Sequence, residues 1–228
     1  MRKFQAPKFL NPKSQNTNTK WFDKPFDRLT VLSSVEGLTT LSQPVESLKV
    51  ERVEGQITMT ELKFHGYYPG VVGKITEIHA VYYNEHWGFD VSFETQVGRE
   101  FSEFISKFDD DRDGLWVATK NGKFAGAVAI DGQKANTDGA RLRWFIVAPE
   151  FQNAGVGKEL ISQAVEFCRK KKYAKVFLWT FEGLDAARRL YERENFRLSE
   201  THDVDQWGRH IKEQRFELIL QDPADKQC

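Results

Sequence analysis

Apolar positions recur along this chain at two periods, and the switches between them mark out its elements. Ile75, Ile78, His79, Tyr82 and Tyr83 lie near helical spacing within Ile75 to Trp87. Ser92 is placed to cap a second helix, with Phe93, Val97, Phe101, Phe104 and Ile105 on one face. The pattern then shortens. Leu115 to Thr119 and Phe124 to Ile130 read as strands, and the Asn121-Gly122 between them is the strongest two-residue hairpin signal. Arg141 to Val147 is a further strand, closed by Pro149. Gly157 to Lys172 returns to helical spacing, with a buried stripe of Leu160, Ile161, Ala164, Val165, Phe167 and Cys168. Its basic end, Arg169 to Lys172, suits the negative pole of the helix dipole. Lys175 to Phe181 is almost continuously apolar, as a strand covered on both faces should be. Leu184 to Glu194 is a helix, and Phe196 to His202 with Ile211 to Leu220 form a closing strand pair. This order predicts an α/β fold, a mixed central sheet flanked by helices.

The first 69 residues lack such regularity. They hold five of the seven prolines, and 10 Lys/Arg against 7 Asp/Glu. Asn11 to Lys20 is polar and aperiodic, and Thr30 to Leu62 offers only short alternating pieces. Residues 1–69 are therefore an expected N-terminal extension, and 70–221 the folded domain. Met59, the only internal methionine, admits an alternative start; an ordinary extension is the simpler reading.

Composition narrows the function classes. Among 228 residues, 33 Lys/Arg balance 33 Asp/Glu, so the chain has no net-charge footprint for wrapping DNA, and only a local basic patch would offer one. Apolar runs are far shorter than the roughly 20 residues of a membrane span. Cys168 and Cys228 make no disulfide framework, and the N-terminus lacks the apolar stretch of a secretory signal; a cytoplasmic protein is expected. Asp109, Asp111, Asp113 and Gly114 imitate a calcium loop, but Lys120 stands where its bidentate Glu belongs. The His and Cys residues lack zinc spacing, so no metal is expected.

The chemistry gathers after Val147, in Ala148-Pro149-Glu150-Phe151-Gln152-Asn153-Ala154-Gly155-Val156-Gly157-Lys158. A strand ends and a helix starts on a glycine-rich turn. Its unpaired N–H groups and positive dipole end suit an anion, above all a phosphate. The turn is not a Walker loop, because Gln152 replaces the first glycine and Glu159 follows Lys158. It is not a dinucleotide fingerprint, because Leu160 replaces the third glycine.

The Gln-x-x-Gly-x-Gly spacing resembles the GNAT family of N-acetyltransferases. Ala186-Ala187-Arg188-Arg189-Leu190-Tyr191 followed by Asn195-Phe196 is similar to that family's A-x-x-L-Y-x-x-x-G-F pattern. Asn195 stands where glycine is usual, and Asn tolerates a left-handed helix end. Glu77 to Tyr83, Trp87-Gly88-Phe89, Leu142 to Phe145, Leu178 to Phe181 and Gln206-Trp207-Gly208 look more narrowly like the acetyltransferase half of bacterial MarR–GNAT fusions. The first 69 residues are too short for a MarR domain and show no helix-turn-helix pattern, so the regulatory half is expected to be absent.

The resemblance implies the GNAT fold and acetyl transfer from acetyl-CoA to a primary amine, by direct attack. It implies that the amides of Gln152, Asn153, Ala154, Gly155, Val156, Gly157 and Lys158 hold the CoA pyrophosphate, and that Phe145, Ile146 and Val147 pair with the pantetheine arm. A backbone N–H there would polarise the thioester carbonyl, a role typically worth ~3 kcal/mol. Tyr191 would protonate the departing thiolate, and Asn153 or Asn195 would touch the cofactor. His79 is the first candidate base and Glu182 the second. Tyr82, Tyr83 and Trp207 would line the acceptor site, and Arg143 would clamp an acceptor carboxylate. Each has a plainer reading: a core tyrosine for Tyr191, a hydrogen-bonded structural histidine for His79, an ion pair for Arg143, an apolar hairpin tip for Trp207. The expected acceptor is a small-molecule amine or amino acid, and a homodimer is admitted. The alternative is a non-catalytic acyl-CoA-binding or ligand-sensing module.

Overall fold

The structure, a computed structural model, describes residues 62–220. Most of the expected extension, Met59 included, lies outside them. Seven strands form one sheet in the order β1-β2-β3-β4-β5-β7-β6. They are β1 (Leu62–His65), β2 (Gly114–Lys120), β3 (Lys123–Asp131), β4 (Ala140–Val147), β5 (Lys175–Phe181), β6 (Arg197–Gln206) and β7 (Arg209–Ile219). The helices are α1 (Val71–Trp87), α2 (Val91–Ser106), α3 (Val156–Lys170) and α4 (Asp185–Arg193). No helix among the described residues is long and apolar enough to cross a membrane.

The elements follow the sequence pattern with differences at their ends. α2 is capped by Asp90 rather than Ser92, because the Asp90 carboxylate accepts from the Ser92 amide at 2.9 Å. The β6–β7 hairpin is longer than the apolar pattern indicates. Trp207 and Gly208 (φ 53° and 73°) close it with the two left-handed residues of a tight hairpin turn. β1, which the sequence reading leaves in the extension, pairs antiparallel with β2 from Leu62↔Lys120 to His65↔Val117. The sheet therefore begins eight residues ahead of residue 70.

Helices cover both sheet faces. On one, the α3 stripe of Leu160, Ile161, Ala164, Val165 and Cys168 packs with Val128, Ile130, Leu142 and Leu178. Each large aliphatic side chain buried there contributes roughly 1.5–3 kcal/mol. On the other, Val71 and Ile75 of α1 and Phe101 and Phe104 of α2 pack on Leu115, Val117 and Ile146.

The feature that creates a site is the pairing of β4 with β5. Every other neighbouring pair is antiparallel, whereas these two run parallel and share register at only two positions, Ala140↔Val176 and Arg141↔Phe177. Beyond Arg141 they part, leaving the β5-facing edge of Leu142 to Val147 without ladder bonds to β5. A bulge sharpens the break. β3 positions Ala127 and Ala129 face Ile146 and Arg143, so β4 carries an extra residue. Trp144 sits there at φ 47°, a left-handed conformation uncommon outside glycine. Consecutive residues Arg143 and Trp144 consequently turn to the same face, toward α2.

Candidate active site

The gap between β4 and β5 opens into a cleft of about 200 Å³. His79 and Tyr83 come from α1, Gln96 and Glu100 from α2, Arg141 to Phe145 from β4, Leu178 to Phe181 from β5, Tyr191 from α4, and Trp207 and Glu213 from the β6–β7 hairpin. The hairpin tip roofs one end. Trp207 Nε1 donates to Gln96 Oε1 at 2.9 Å, its carbonyl accepts from the Asp90 amide at 3.1 Å, and its ring lies 4.9 Å from that of Phe89.

The glycine turn stands at the C-terminal end of β4. After the short turn Pro149–Phe151, Asn153 (φ 60°) and Gly155 (φ 82°) reverse the chain into α3. Glu159 is the first α3 residue whose amide finds a backbone partner, the Gly155 carbonyl at 3.1 Å. The amides of Val156, Gly157 and Lys158 have no backbone acceptor among the described residues, and no side chain caps the helix. A Cβ on Gly155 would meet nothing within 4 Å, whereas one on Gly157 would meet Leu190, Phe145 and Val147 at 3.0–3.3 Å. One glycine thus leaves an open approach to the helix end, and the other seats α3 against β4 and α4. Free donors, a positive dipole end and open space fit a phosphate-bearing ligand.

Tyr191 is buried against the rings of Phe145, Phe196 and Phe216, and it lines the cleft. Its hydroxyl has no hydrogen-bond partner among the described residues. Burial, with a further contribution from Tyr83, raises its pKa well above the usual phenol range. Burial raises Tyr83 as well. Tyr83 also stacks on His79 and Phe89.

His79 is almost fully buried, with Nδ1 2.8 Å from the Ile75 carbonyl. That carbonyl can only accept, so Nδ1 carries the hydrogen and Nε2 keeps its lone pair. Burial drives the pKa down to about 4, so the ring is neutral at pH 7. Arg143 is already engaged: it pairs with Glu100, lies 3.3 Å from Asp131 and sits 4.0 Å over the Trp144 ring.

The remaining expected site residues fall elsewhere. Glu182 is exposed, 3.7 Å from Lys212, and does not line the cleft. Tyr82 stacks on His86, outside the lining. Asn195 is exposed at the end of α4 with φ 67° and makes the turn into β6. Ile146 points into the α1/α2 core and Val147 toward α3, so only their backbone edge is available on the β5 side. Cys168 is buried and its thiol is pushed up to about 12, so it is no nucleophile. The sequence reading missed Gln96, Glu100, Arg141, Trp179 and Glu213. Arg141 had a visible signal, because charged residues at 141 and 143 interrupt one face of an otherwise apolar strand.

A family model described as the acetyltransferase (GNAT) family matches residues 74–196. The chain belongs to that family. It is 29% identical over 138 residues to an uncharacterized N-acetyltransferase of Methanocaldococcus jannaschii, a match covering 58% of this chain and 59% of that protein. The chain thus spans about three fifths of the length of that relative. Among solved structures, ribosomal-protein-alanine N-acetyltransferase from Brucella melitensis shares the fold at TM-score 0.58 and 16% identity, covering 69% of this chain and 99% of its own. The Salmonella typhimurium protein yncA, solved with its cofactor acetyl-CoA, matches at TM-score 0.54 and 17% identity, covering 72% and 96%.

Proposed function

We propose that this chain transfers an acetyl group from acetyl-CoA to the primary amine of a small molecule or amino acid. The observation that carries the reading is the convergence of three features on one cleft: the unpaired edge of β4, the open amides at the start of α3, and the Tyr191 hydroxyl. The stretches that look like the acetyltransferase half of MarR–GNAT fusions also meet there, through Tyr83, Phe145, Phe181 and Trp207. That argues for a related acceptor site.

Bound acetyl-CoA supplies the thioester that the amine attacks directly. The amides of Val156, Gly157 and Lys158, with those of Asn153 and Gly155, hold the pyrophosphate. The free edge of Phe145 to Val147 binds the pantetheine arm as an added strand would. Tyr191 keeps its proton at neutral pH and offers it to the leaving sulfur. A thiol has a pKa of about 8.5, so the buried phenol is the weaker acid and acts as a hydrogen-bond donor to the nascent thiolate. His79 Nε2 accepts from the incoming amine. A ring with a pKa of about 4 cannot hold the ammonium's proton, so His79 orients a neutral amine and solvent takes the proton away.

The test is a thiol-release screen with acetyl-CoA over amines, amino acids, polyamines and peptides. Amine-dependent release by at least one small amine is expected. CoA binding without turnover on any of them would overturn the reading in favour of a non-catalytic acyl-CoA-binding module.

A further inference from the structure

Arg141 is a charged side chain of the cleft that takes no part in the proposed transfer and is not held by an ion pair. It stands on β4 opposite Phe177, the last position at which β4 and β5 pair, and so at the vertex of the opening. Its guanidinium has no ion pair or hydrogen bond to any described residue, and its Nε is buried without a partner. Two residues on, Arg143 is the opposite case, held by Glu100 and Asp131. The expected carboxylate clamp is thus occupied, while its neighbour is open.

A part-buried guanidinium whose Nε is shut away from solvent without a hydrogen-bond partner is costly. Burial works most strongly against its charged form and the charge of Arg143 adds to this, while the carboxylates of Glu100, Asp131 and Glu213 favour it from beyond contact distance, leaving its hydrogen-bond donors open to an arriving anion. Glu213 lines the same cleft, makes no ion pair among the described residues, and acts on Arg141 through its charge. It lies opposite Phe181, four positions along β5 from Phe177, about 13 Å at strand rise. The lining thus sets a guanidinium at the vertex and the Glu213 carboxylate across from it, each within the other's field.

We infer that Arg141 receives a carboxylate of the acceptor, so that the substrate class is an amino carboxylate with its carboxylate at the vertex and its amine toward Phe145 and Glu213. A planar guanidinium matches a carboxylate with two parallel hydrogen bonds. The orientation of the amine rests on the acetyl-transfer reading; the carboxylate contact does not.

The test compares free amino acids, their C-terminal amides and phosphoethanolamine as acceptors for the wild type, Arg141→Gln and Arg141→Lys. In the wild type the best free acid exceeds its amide in kcat/KM by about 10- to 100-fold, the range for a hydrogen-bonded charge. Arg141→Gln brings that ratio near one through loss on the acid, and Arg141→Lys falls between. A ratio near one in the wild type, a ratio unchanged in Arg141→Gln, or preference for phosphoethanolamine overturns the inference. If nothing is acetylated, the transfer reading fails and the carboxylate contact is read from binding. With CoA present, free acids then raise the Tm of the wild type but not of Arg141→Gln, and amides raise neither. CoA alone must raise the Tm of both proteins, which shows that both are folded. Equal shifts by acids and amides would overturn the contact.

Discussion

Arg143 pairs with Glu100 across the cleft floor, joining the bulged strand β4 to helix α2. The same guanidinium reaches Asp131 on β3 and covers the Trp144 ring. It is a strut between elements rather than a free hand for a ligand. Arg143→Gln leaves two part-buried carboxylates without their cation and is expected to destabilise the fold by about 1–3 kcal/mol. Urea unfolding checks this, and Glu100→Gln in the same background should cost less than it does alone.

Gly155 and Gly157 are expected to fail differently. At Gly155 an added methyl meets open space but stays at φ 82°, costing about 1–2 kcal/mol. At Gly157 the methyl presses on Leu190, Phe145 and Val147. Gly157→Ala should therefore cost about 1–3 kcal/mol by overpacking and displace the start of α3, weakening CoA affinity more than Gly155→Ala does. Thermal melts with and without CoA separate the two effects.

His79 gives a pH signature. Its imidazole takes a proton near 6.5 in the unfolded chain and at about 4 in the folded one. Between these values acid favours the unfolded chain. Its contribution is complete above pH 6.5 and is lost as the pH falls toward 4, by up to about 3 kcal/mol. His79→Gln should flatten that part of the stability profile. The kcat/KM profile of the wild type should show no ionisation of an ordinary histidine near 6.5.

Tyr191→Phe keeps the contacts with Phe145, Phe196 and Phe216 and removes a hydroxyl that has no partner among the described residues. Stability should change by less than about 0.5 kcal/mol. The value of kcat should fall by about 10²-fold or more, with the KM for acetyl-CoA nearly unchanged.

Local signals carried most of the fold. The α3 stripe, the Asn121-Gly122 turn and the apolar run of β5 each declare themselves within a few residues. β1 did not, because Leu62 to His65 is four residues long and gains its place only from β2, more than fifty positions away. The glycine turn and Tyr191 were legible because each belongs to a local pattern. The acceptor wall was not, since Gln96, Glu100, Arg141 and Glu213 come from three separate elements and meet only in three dimensions. The roles of Arg141 and Arg143 turn on which carboxylates reach which guanidinium. Alternation places both on one face but cannot distribute their partners.

The most direct test of acetyl transfer is mass spectrometry of a reaction containing the protein, acetyl-CoA and a small amino acid accepted in the thiol-release screen. Direct attack by the amine gives an acetylated amino acid in equal amount to released CoA, and no acetyl group on the protein when the amine is omitted. A stable acetyl-protein, or CoA release without acetylated product, would contradict it.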